Sequence, residues 1–579
     1  MERWLKRGAS ALLYALPVAF LALFFFYPLA AIFDLSLRPE GVLQWERLLD
    51  VVRSPYYQRT LRFTVWQATL STALTIACAL PCAYVFTRFQ FAGKSTLLAL
   101  ATLPFVLPTV VVAAAFRALI WPNGLLNDGL MRLLLLDSPP LQLQRTLTAI
   151  LIAHVFYNFA VALRMITGYW ANQSTRMEEA AQVLGARGWR LWWYVRLPIL
   201  RPAITAAALL VFIFTFTSFG VVLILGGFRY ATLEVEIYYQ AQSVFDLPVA
   251  AALSLVQIGA MFVMMAVYTR LQRDIKTDLQ STRRVARKPR NRREWLAVGA
   301  TVTFIGGLLF SPLLALVSRS LSFSAERSTL HHYRNLLENR PVGGRLPRSM
   351  EDVLGVAPVE IIQNSLTFAL MTTLAAVILG LLTSYLLARR GRSGRWLDPV
   401  FMLPLATSAV TLGFGYILTM DFNGVRGGLN DVFGLSVRGN WDLRASWILI
   451  PIAHVLVALP FVVRSVLPAL RGIAPSIHEA AAVLGAPPHK RWLYVELPLI
   501  SRGVIVGATF AFTISMGEFG ASLFVARTES TTLPIAIERL LSQPGTSAEA
   551  YALSSLLLLV CATSFIVIER VRVAGIGEF

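Results

Sequence analysis

The segment "EEAAQVLGARGWRLWWYVRLPIL", which runs from Glu178 to Leu200, interrupts a mostly apolar chain with charges, glycines and a cluster of aromatic residues. A second version, "HEAAAVLGAPPHKRWLYVELPLI", runs from His478 to Ile500. The E-A-A triplet, the glycine after it and the proline recur 300 positions later in the second copy. An ordinary interfacial loop explains the aromatic residues but not two copies with identical spacing, so the segment indicates a specific structural role.

The composition places the chain in a membrane. Of its 579 residues, 56% are hydrophobic and 15% are charged, and the mean hydropathy is +0.62, which excludes an ordinary soluble protein. The net charge of +20 comes from short basic loops between apolar runs, as in cytoplasmic loops, and not from a basic domain. We therefore expect contact with membrane lipid and no nucleic-acid partner. Cys78, Cys82 and Cys561 match no zinc or redox pattern, so no metal site is predicted.

The apolar runs predict the architecture. A spanning helix needs about 20 mainly apolar residues, and these runs are too long and unbroken for the strands of a barrel. The sequence therefore predicts an all-α polytopic membrane protein with about 12 transmembrane helices in two parallel six-helix repeats. The predicted spans are 9–33, 61–87, 95–120, 146–168, 203–226 and 248–269 in the first half, and 295–317, 362–388, 397–420, 445–468, 503–525 and 547–568 in the second.

Basic residues predict the orientation of these spans. Lysine and arginine lie in the N-terminal segment, in the loops after the second and eighth spans, and in the linker 270–294. With six spans in each half, all of these positions fall on one side, which we interpret as the cytoplasmic side. Both termini are therefore expected in the cytoplasm, and the two polar segments are expected to lie on that side as well.

The repeat extends well beyond the two polar segments. The stretch "IAHV" at Ile152–Val155 returns at Ile452–Val455, and "SFG" at Ser218–Gly220 corresponds to "EFG" at Glu518–Gly520. A fixed offset over this length indicates a duplicated unit, and parallel halves of this kind enclose a pathway between them. The predicted divisions are a first helix and outer loop (1–59), the first transmembrane unit (60–269), a basic linker (270–294), a seventh helix and outer loop (295–359), the second transmembrane unit (360–568) and a cytoplasmic tail (569–579).

Local signals predict the shape of each polar segment. Good helix formers fill Met177–Leu184, and Gly185 suits the left-handed residue that ends a helix. A second short helix is predicted from about Trp189 to Val195, after which Leu197–Pro198 is expected to turn the chain into the next span. The segment is thus predicted to be a helix, a glycine stop and a second helix, held at both ends by spans.

The spacing within the two segments carries a resemblance to a known family. Both copies read E-A-A, three residues, G, nine residues, V, one residue and L-P. This resembles the EAA loop in permease subunits of bacterial binding-protein-dependent (type I) ABC importers, in which the loop docks on a separate ATP-binding subunit. The resemblance covers about residues 60–269 and 360–568 and implies the transmembrane fold of that family in the bacterial inner membrane.

The same resemblance implies partners and site residues. It implies two copies of an ATP-binding subunit on the cytoplasmic side and an extracytoplasmic substrate-binding protein. Each loop would contact one ATP-binding subunit through four residues: Glu179, Ala180, Ala181 and Gly185 in the first copy, and Glu479, Ala480, Ala481 and Gly485 in the second.

One short motif suggests ATP binding in this chain but does not meet its requirements. The stretch "FAGKST" at Phe91–Thr96 contains G-K-S, yet a phosphate-binding loop needs another glycine five positions earlier and a preceding strand. Arg88 occupies that position, and an apolar helix precedes it. We therefore expect a transport subunit that is not an enzyme and binds no cofactor, with ATP used by the partner ATPase.

Ionisable and polar residues within predicted spans are candidates for a substrate pathway. Glu518 lies in "SMGEFG", and its counterpart in the first half is Ser218. The acid either faces the pathway and favours a cationic substrate, or pairs with another helix or lies near the outer headgroups. His154 and His454 occupy equivalent places and either line a pathway or bind a metal, or hydrogen-bond neighbouring helices. Asn158 is a weaker candidate for the pathway.

Two such units in one chain resemble the fused permeases that serve thiamine and ferric iron. The stretches "LRFTVWQATLS" (Leu61–Ser71), "AHVFYNFAVALRM" (Ala153–Met165) and "GGFRYATLEVEIYYQA" (Gly226–Ala241) favour the thiamine permeases. The resemblance thus implies ATP-driven import of a small cationic solute by alternating access. An ion-gradient-driven secondary transporter also explains parallel halves, but not the EAA spacing. An intramembrane enzyme built on the two histidines and the acid lacks a dense set of ligands.

Overall fold

A computed structural model of the protein describes residues 14–38, 42–277, 286–321, 329–340, 349–389, 391–421 and 442–572. Within these ranges the chain is helical, and its extended pairing is limited to two isolated bridges. Parts of five predicted segments lie outside the described residues: 1–13 and 39–41 of the first segment, 278–285 of the linker, 322–328 and 341–348 of the seventh helix and outer loop, 390 and 422–441 of the second unit, and 573–579 of the tail. The predicted divisions of the chain stay a prediction.

In the described part of the chain, eleven helices are long and apolar enough to span a membrane, and one bent pair supplies a twelfth. The fold class predicted from the sequence is therefore confirmed. The spans are α1 (Tyr14–Leu37), α2 (Pro55–Arg88), α3 (Thr109–Leu134), α4 (Leu147–Ala171), α5 (Trp189–Phe216), α6 (Leu247–Leu271), α7 (Arg292–Ser320), α8 (Pro358–Ala388), α9 (Leu397–Leu405 with Ala409–Thr419), α10 (Leu449–Arg471), α11 (Pro488–Gly517) and α12 (Ser547–Val571).

Shorter helices connect the spans. They are Trp45–Arg53, Lys94–Leu100, Leu103–Val106, Arg176–Val183, Gly220–Gly226 and Leu233–Tyr239 in the first half, and His331–Leu337, Met350–Leu354, Pro475–Val483, Ser522–Val525 and Leu533–Ser542 in the second.

The first span of each half packs against the other half. Helix α1 contacts α6 and also the second segment of α9, while α7 contacts α3 and α12. Where α1 meets the second segment of α9, a Cβ on Gly415 would lie 2.9 Å from Cβ of Pro28, so only glycine permits this approach. Each of these first helices therefore packs against both halves.

The predicted continuous span 95–120 is wrong. The chain forms two short helices, Lys94–Leu100 and Leu103–Val106, before α3 begins at Thr109. Leu107 lies between the second of these short helices and α3. Its backbone is extended (φ −73°, ψ 141°), because the ring of the following proline disfavours the helical conformation in the residue before it. The corresponding segment of the second half, α9, bends by 96° at 406–408, where the side chain of Ser408 accepts hydrogen bonds from the backbone of Val410 and Thr411.

The fifth and eleventh spans also end earlier than predicted. Helix α5 stops at Phe216 and α11 at Gly517, whereas the predicted spans 203–226 and 503–525 continue through both points. Short helices resume at Gly220 and Ser522. Hydropathy alone hides these breaks because the unwound residues are flanked by apolar ones.

The predicted turn at Leu197–Pro198 is also wrong, because α5 runs unbroken from Trp189 into the membrane. A π-helical turn, Trp192–Arg196, lies just before the proline, and the N–H of Leu197 donates to the carbonyl of Trp192. A proline ring would clash with the carbonyl four residues back in a regular α-helix. The wider π turn takes up one extra residue and lets the helix continue. The second copy has the same turn at Trp492–Glu496.

Candidate functional site

The two polar segments fold into the same local structure, which we call the EAA loops (176–191 and 475–491). Each starts with a short helix that ends at a left-handed glycine, Gly185 with φ +89° and Gly485 with φ +74°. After each glycine, the next N–H donates to the carbonyl five residues back: Ala186 to Ala181, and Ala486 to Ala481. This pattern satisfies the last carbonyls of the helix and fixes the turn, so the predicted glycine stop matches the structure in both copies.

Both loops expose apolar side chains at the tip. Val183 and Leu184 are 87% and 88% exposed, and Val483 and Leu484 are each 86% exposed. Large apolar side chains this exposed, placed at equivalent points of two loops, mark an interaction surface. The residues predicted to contact the ATP-binding subunits lie beside them: Glu179, Ala180, Gly185, Glu479, Ala480 and Gly485 are exposed, Ala181 is half-buried and Ala481 is buried.

A buried ion pair, the first anchor (Glu178, Arg196 and Tyr84), fixes the first EAA loop to the membrane helices. The guanidinium of Arg196 lies 3.4 Å from Oε2 of Glu178, and the two side chains are only 6% and 8% exposed. Arg196 also lies over the ring of Tyr84 on α2, 5.1 Å from its centroid. Because the pair is buried and joins the loop helix to α5, a displacement of the loop moves α5 with it.

The second EAA loop has an anchor of reversed charge, the second anchor (His478, Glu496 and Tyr385), in which the acid lies on the membrane helix and Nε of Arg491 on the loop lies 3.7 Å from Oε1 of Glu496. Here His478 takes the position of the acid and Glu496 that of the arginine, each 300 residues on. Nδ1 of His478 lies 3.4 Å from Oε1 of Glu496, and the hydroxyl of Tyr385 donates to Oε2 of Glu496 at 2.8 Å. The two equivalent tyrosines thus act differently. Tyr84 presents its ring face to the guanidinium of Arg196, whereas Tyr385 donates its hydroxyl to the carboxylate of Glu496.

Farther into the membrane, the two equivalent histidines each join neighbouring segments. Nδ1 of His154 lies 3.0 Å from Oγ of Ser71 on α2, and its Nε2 lies 2.9 Å from Oγ of Ser218. His154 is 2% exposed, and Nδ2 of Asn158 donates to its carbonyl oxygen at 3.0 Å. The ring therefore ties the broken end of α5 to α2 and α4.

His454 binds the corresponding break in the second half. Its Nδ1 and Nε2 lie 2.7 Å from the hydroxyls of Ser515 and Ser522, and its Nε2 lies 3.4 Å from Oε2 of Glu518. Glu518 accepts hydrogen bonds from the backbone N–H groups of Ala521 and Ser522 at 2.8 and 2.9 Å and from the Ser522 hydroxyl at 2.6 Å. The carboxyl group thus holds the unwound backbone after α11 and has its oxygens occupied by protein donors.

A cavity of about 370 Å³ lies between the halves, where four helices are interrupted. It is lined by residues from each of the four breaks: 106–109, 217–221, 407–410 and 517–520. Non-helical backbone at membrane depth is tolerated where it lines a cavity, and such breaks form substrate sites in transporters. The pathway candidates Ser218, His154, Asn158 and Glu518 line this cavity, whereas His454 lies behind it against Ser515 and Ser522.

Two equivalent phenylalanines meet across the cavity. The rings of Phe219 and Phe519, 300 positions apart, stack with centroids 5.6 Å apart and planes inclined by 26°. Close to this pair, the last residue of α11, Gly517, packs directly against Pro108: a Cβ there would lie 2.8 Å from Cγ of the proline. The stacked pair closes one side of the cavity with apolar surface from both halves.

Comparison with known proteins assigns the family. The family model described as "binding-protein-dependent transport system inner membrane component" matches the chain twice, at residues 72–277 and 374–573. The chain belongs to this family. It is thus a multi-pass permease subunit of an ABC importer, and the predicted family and its two fused units are confirmed.

The permease is similar over most of its length to thiamine permeases. It is 27% identical to the thiamine transport system permease protein ThiP of Salmonella typhimurium (strain LT2), over 90% of each chain. Identity to ThiP of Escherichia coli (strain K12) is also 27%, over 98% of this chain and 96% of that protein. A solved structure of a bacterial ABC transporter involved in the import of the acidic polysaccharide alginate is similar to 48% of this chain and 100% of its own, with 15% identity and a TM-score of 0.37.

Sequence reasoning missed the anchors of the EAA loops and one buried acid of the cavity, Glu234. The anchors carry a signal in the repeat, since the offset of 300 pairs Glu178 with a histidine and Arg196 with a glutamate. Glu234 likewise corresponds to Pro534. Positions where a repeat changes charge are therefore the ones that distinguish the two halves of the permease.

The two histidines give a testable difference in stability. Replacing His454 with leucine removes a partner of the buried Glu518, whereas His154→Leu leaves only two serine hydroxyls, which can bond to their own helices. Leaving a buried charge without its partner costs about 3 kcal/mol, and a lost neutral hydrogen bond about 1 kcal/mol. We expect the melting temperature of the detergent-purified permease to fall by several degrees more for His454→Leu, and equal shifts would contradict this role of the acid.

Proposed function

We propose that the permease imports thiamine, driven by ATP hydrolysis on two separate ATP-binding subunits that dock on the EAA loops. An extracytoplasmic binding protein delivers the substrate. Support for the docking comes chiefly from one observation: two equivalent loops, each stopped by a left-handed glycine, expose Val-Leu pairs that are at least 86% accessible. Support for the substrate comes from the similarity to the thiamine permeases.

The coupling follows from how the loops are held. Each EAA loop is fixed to a long helix by its anchor, and that helix ends at the central cavity. When two ATP-binding subunits close, the loops are drawn together and α5 and α11 tilt as rigid bodies. The stacked Phe219 and Phe519 then separate, and the cavity opens to the other side, as alternating access between parallel halves requires. Ser218, Asn158 and His154 line this pathway in the proposal, while His454 and Glu518 hold its wall.

Uptake by the reconstituted transporter tests the proposal. Proteoliposomes containing the permease with its ATP-binding subunits should accumulate labelled thiamine only when ATP is enclosed and the liganded binding protein is added outside. A tenfold excess of ferric iron should not compete. Accumulation that continues without ATP but collapses with the ion gradient would instead support a secondary transporter, and competition by ferric iron would assign the other substrate.

A further inference from the structure

The buried acids of the described residues differ in their partners. Glu178, Glu496, Glu518 and Glu549 each have a basic partner within 3.4 Å. Glu234 and Glu236 have none among the residues that the structure describes, although they are 0% and 1% exposed. An ionisable side chain buried in a membrane protein without a counter-charge is costly, and such residues mark ligand sites by default.

Of these two acids, only Glu234 lines the cavity between the halves. Its Oε1 accepts a hydrogen bond from Nε2 of Gln257 on α6. Its Oε2 accepts one from Oγ of Ser408 at 2.7 Å, and Ser408 belongs to the break in α9, in the other half. Both partners are neutral donors, so the carboxyl group has oriented hydrogen bonds and no neutralising charge. The bond to Ser408 crosses the surface along which the halves must separate.

The rest of the cavity suits a flat organic cation. Six aromatic residues line it: Tyr157, Phe214, Phe219, Phe461, Phe510 and Phe519. Aromatic faces attract cationic groups and accept ring stacking, whereas a bare ferric ion requires several oxygen ligands. Oδ1 of Asn158 is buried without a hydrogen-bond partner in the described structure, while its Nδ2 is used by the carbonyl of His154. It is therefore an acceptor available to an N–H of a ligand.

The acid without a basic partner and the free amide oxygen both belong to the first half. The repeat pairs Glu234 with Pro534 and Asn158 with Ala458, so neither polar group has a counterpart in the second half. A single ligand can thus bind in one orientation, although the protein is built from a duplicated unit. A volume of about 370 Å³ accommodates one molecule of two small rings.

We infer that Glu234 is the counter-charge of a transit site in which this cavity holds one flat, cationic, amino-bearing heterocycle between the two halves. The ligand's cationic ring stacks on the phenylalanine wall near Glu234, and its amino group donates to Oδ1 of Asn158. When the halves part, the carboxylate exchanges its bond with Ser408 for the ligand. The inference rests on the proposed function, since thiamine has a thiazolium cation and an aminopyrimidine ring.

Glu234→Gln is the decisive variant, because glutamine keeps the size and most of the hydrogen bonding but removes the charge. In proteoliposomes with the ATP-binding subunits and the binding protein, we expect thiamine uptake to fall at least tenfold. Stimulation of ATP hydrolysis by the liganded binding protein should remain within twofold of wild type, since the docking surfaces are untouched. Glu236→Gln is the matched control: that acid is equally buried and bonded to Tyr56 and Gln240 outside the cavity, so uptake should stay within twofold.

A second variant covers the case in which Glu234→Gln fails to fold. Asn158→Leu keeps a similar volume, removes the free acceptor and should lower uptake several-fold at an unchanged amount of inserted permease. Normal uptake by both folded variants would overturn the transit site while leaving the proposed function standing. If wild type itself takes up no thiamine, the proposed function fails and the inference falls with it.

Discussion

Replacing Leu184 and Leu484 together with aspartate is expected to abolish thiamine uptake while leaving the permease folded and inserted. Both side chains are at least 86% exposed, so the substitution costs the isolated chain almost nothing. On docking, however, each aspartate would be buried against an apolar surface of an ATP-binding subunit. An unpaired carboxylate in such a place costs on the order of 3 kcal/mol, which is about a hundredfold in binding for each loop.

Three measurements define this experiment. The doubly substituted permease should no longer co-purify with its ATP-binding subunits, should take up no thiamine, and should melt within two degrees of wild type. Leu135→Asp supplies the matched control, because Leu135 is 89% exposed on the connection between α3 and α4, one span away from the EAA loop at the opposite predicted side. If the control blocks uptake as strongly, or the loop variant still binds its ATP-binding subunits, the loops are not the docking surface.

Substitution in one loop alone should give an intermediate result. Each loop is expected to hold one ATP-binding subunit, so Leu184→Asp should leave the subunit on the second loop in place. Uptake should nevertheless fall steeply. ATP is hydrolysed between two closed ATP-binding subunits, and a single docked subunit has no second docked subunit on which to close.

The sequence predicts those parts of the fold that are determined by residues close together along the chain. The twelve spans follow from the lengths of apolar runs, and the stop at Gly185 follows from a glycine placed after a run of helix formers. The breaks after Phe216 and Gly517 do not follow, because hydropathy measures the partition of side chains and does not register the path of the backbone. The break at Leu107 has a local signal in Pro108, because a proline disfavours the helical conformation in the residue before it.

The same distinction holds for the residues of the candidate site: a contiguous motif could be recognised in the sequence, whereas a contact between distant residues could not. The loop residues could be named from the resemblance to a known family, since the motif that carries it is contiguous. The partner of Glu234 is 174 positions away in the other half, and only the packing of α9 against the first half reveals it. The position of Glu518 left two alternatives, an acid facing the pathway or a carboxyl paired with another helix. In the structure it lines the cavity and also bonds to His454 and to the backbone at Ser522.

The reversed charges of the two anchors allow a stringent test of coupling. Arg196→Glu alone would place two carboxylates in a buried site where the wild-type pair is 3.4 Å apart, and breaking such a pair costs about 3 kcal/mol or more. The first EAA loop should then separate from α5. We expect uptake to fall 30-fold or more, while basal ATP hydrolysis continues because the ATP-binding subunits still dock on the loop tips.

Adding Glu178→His to Arg196→Glu should restore most of the uptake. This double variant gives the first loop the histidine and glutamate of the second anchor. Tyr84 then occupies the position from which Tyr385 donates its hydroxyl to Glu496, since the two tyrosines lie 301 positions apart on equivalent helices. Recovery should appear in the number of thiamine molecules carried per ATP hydrolysed, a ratio that a purely stabilising contact would not change. Glu178→His with the native arginine is the control that should remain defective, because the buried Arg196 would lose its carboxylate partner. If the double variant is no better than Arg196→Glu, then the anchors do not transmit motion and the reversed charges only stabilise each loop separately.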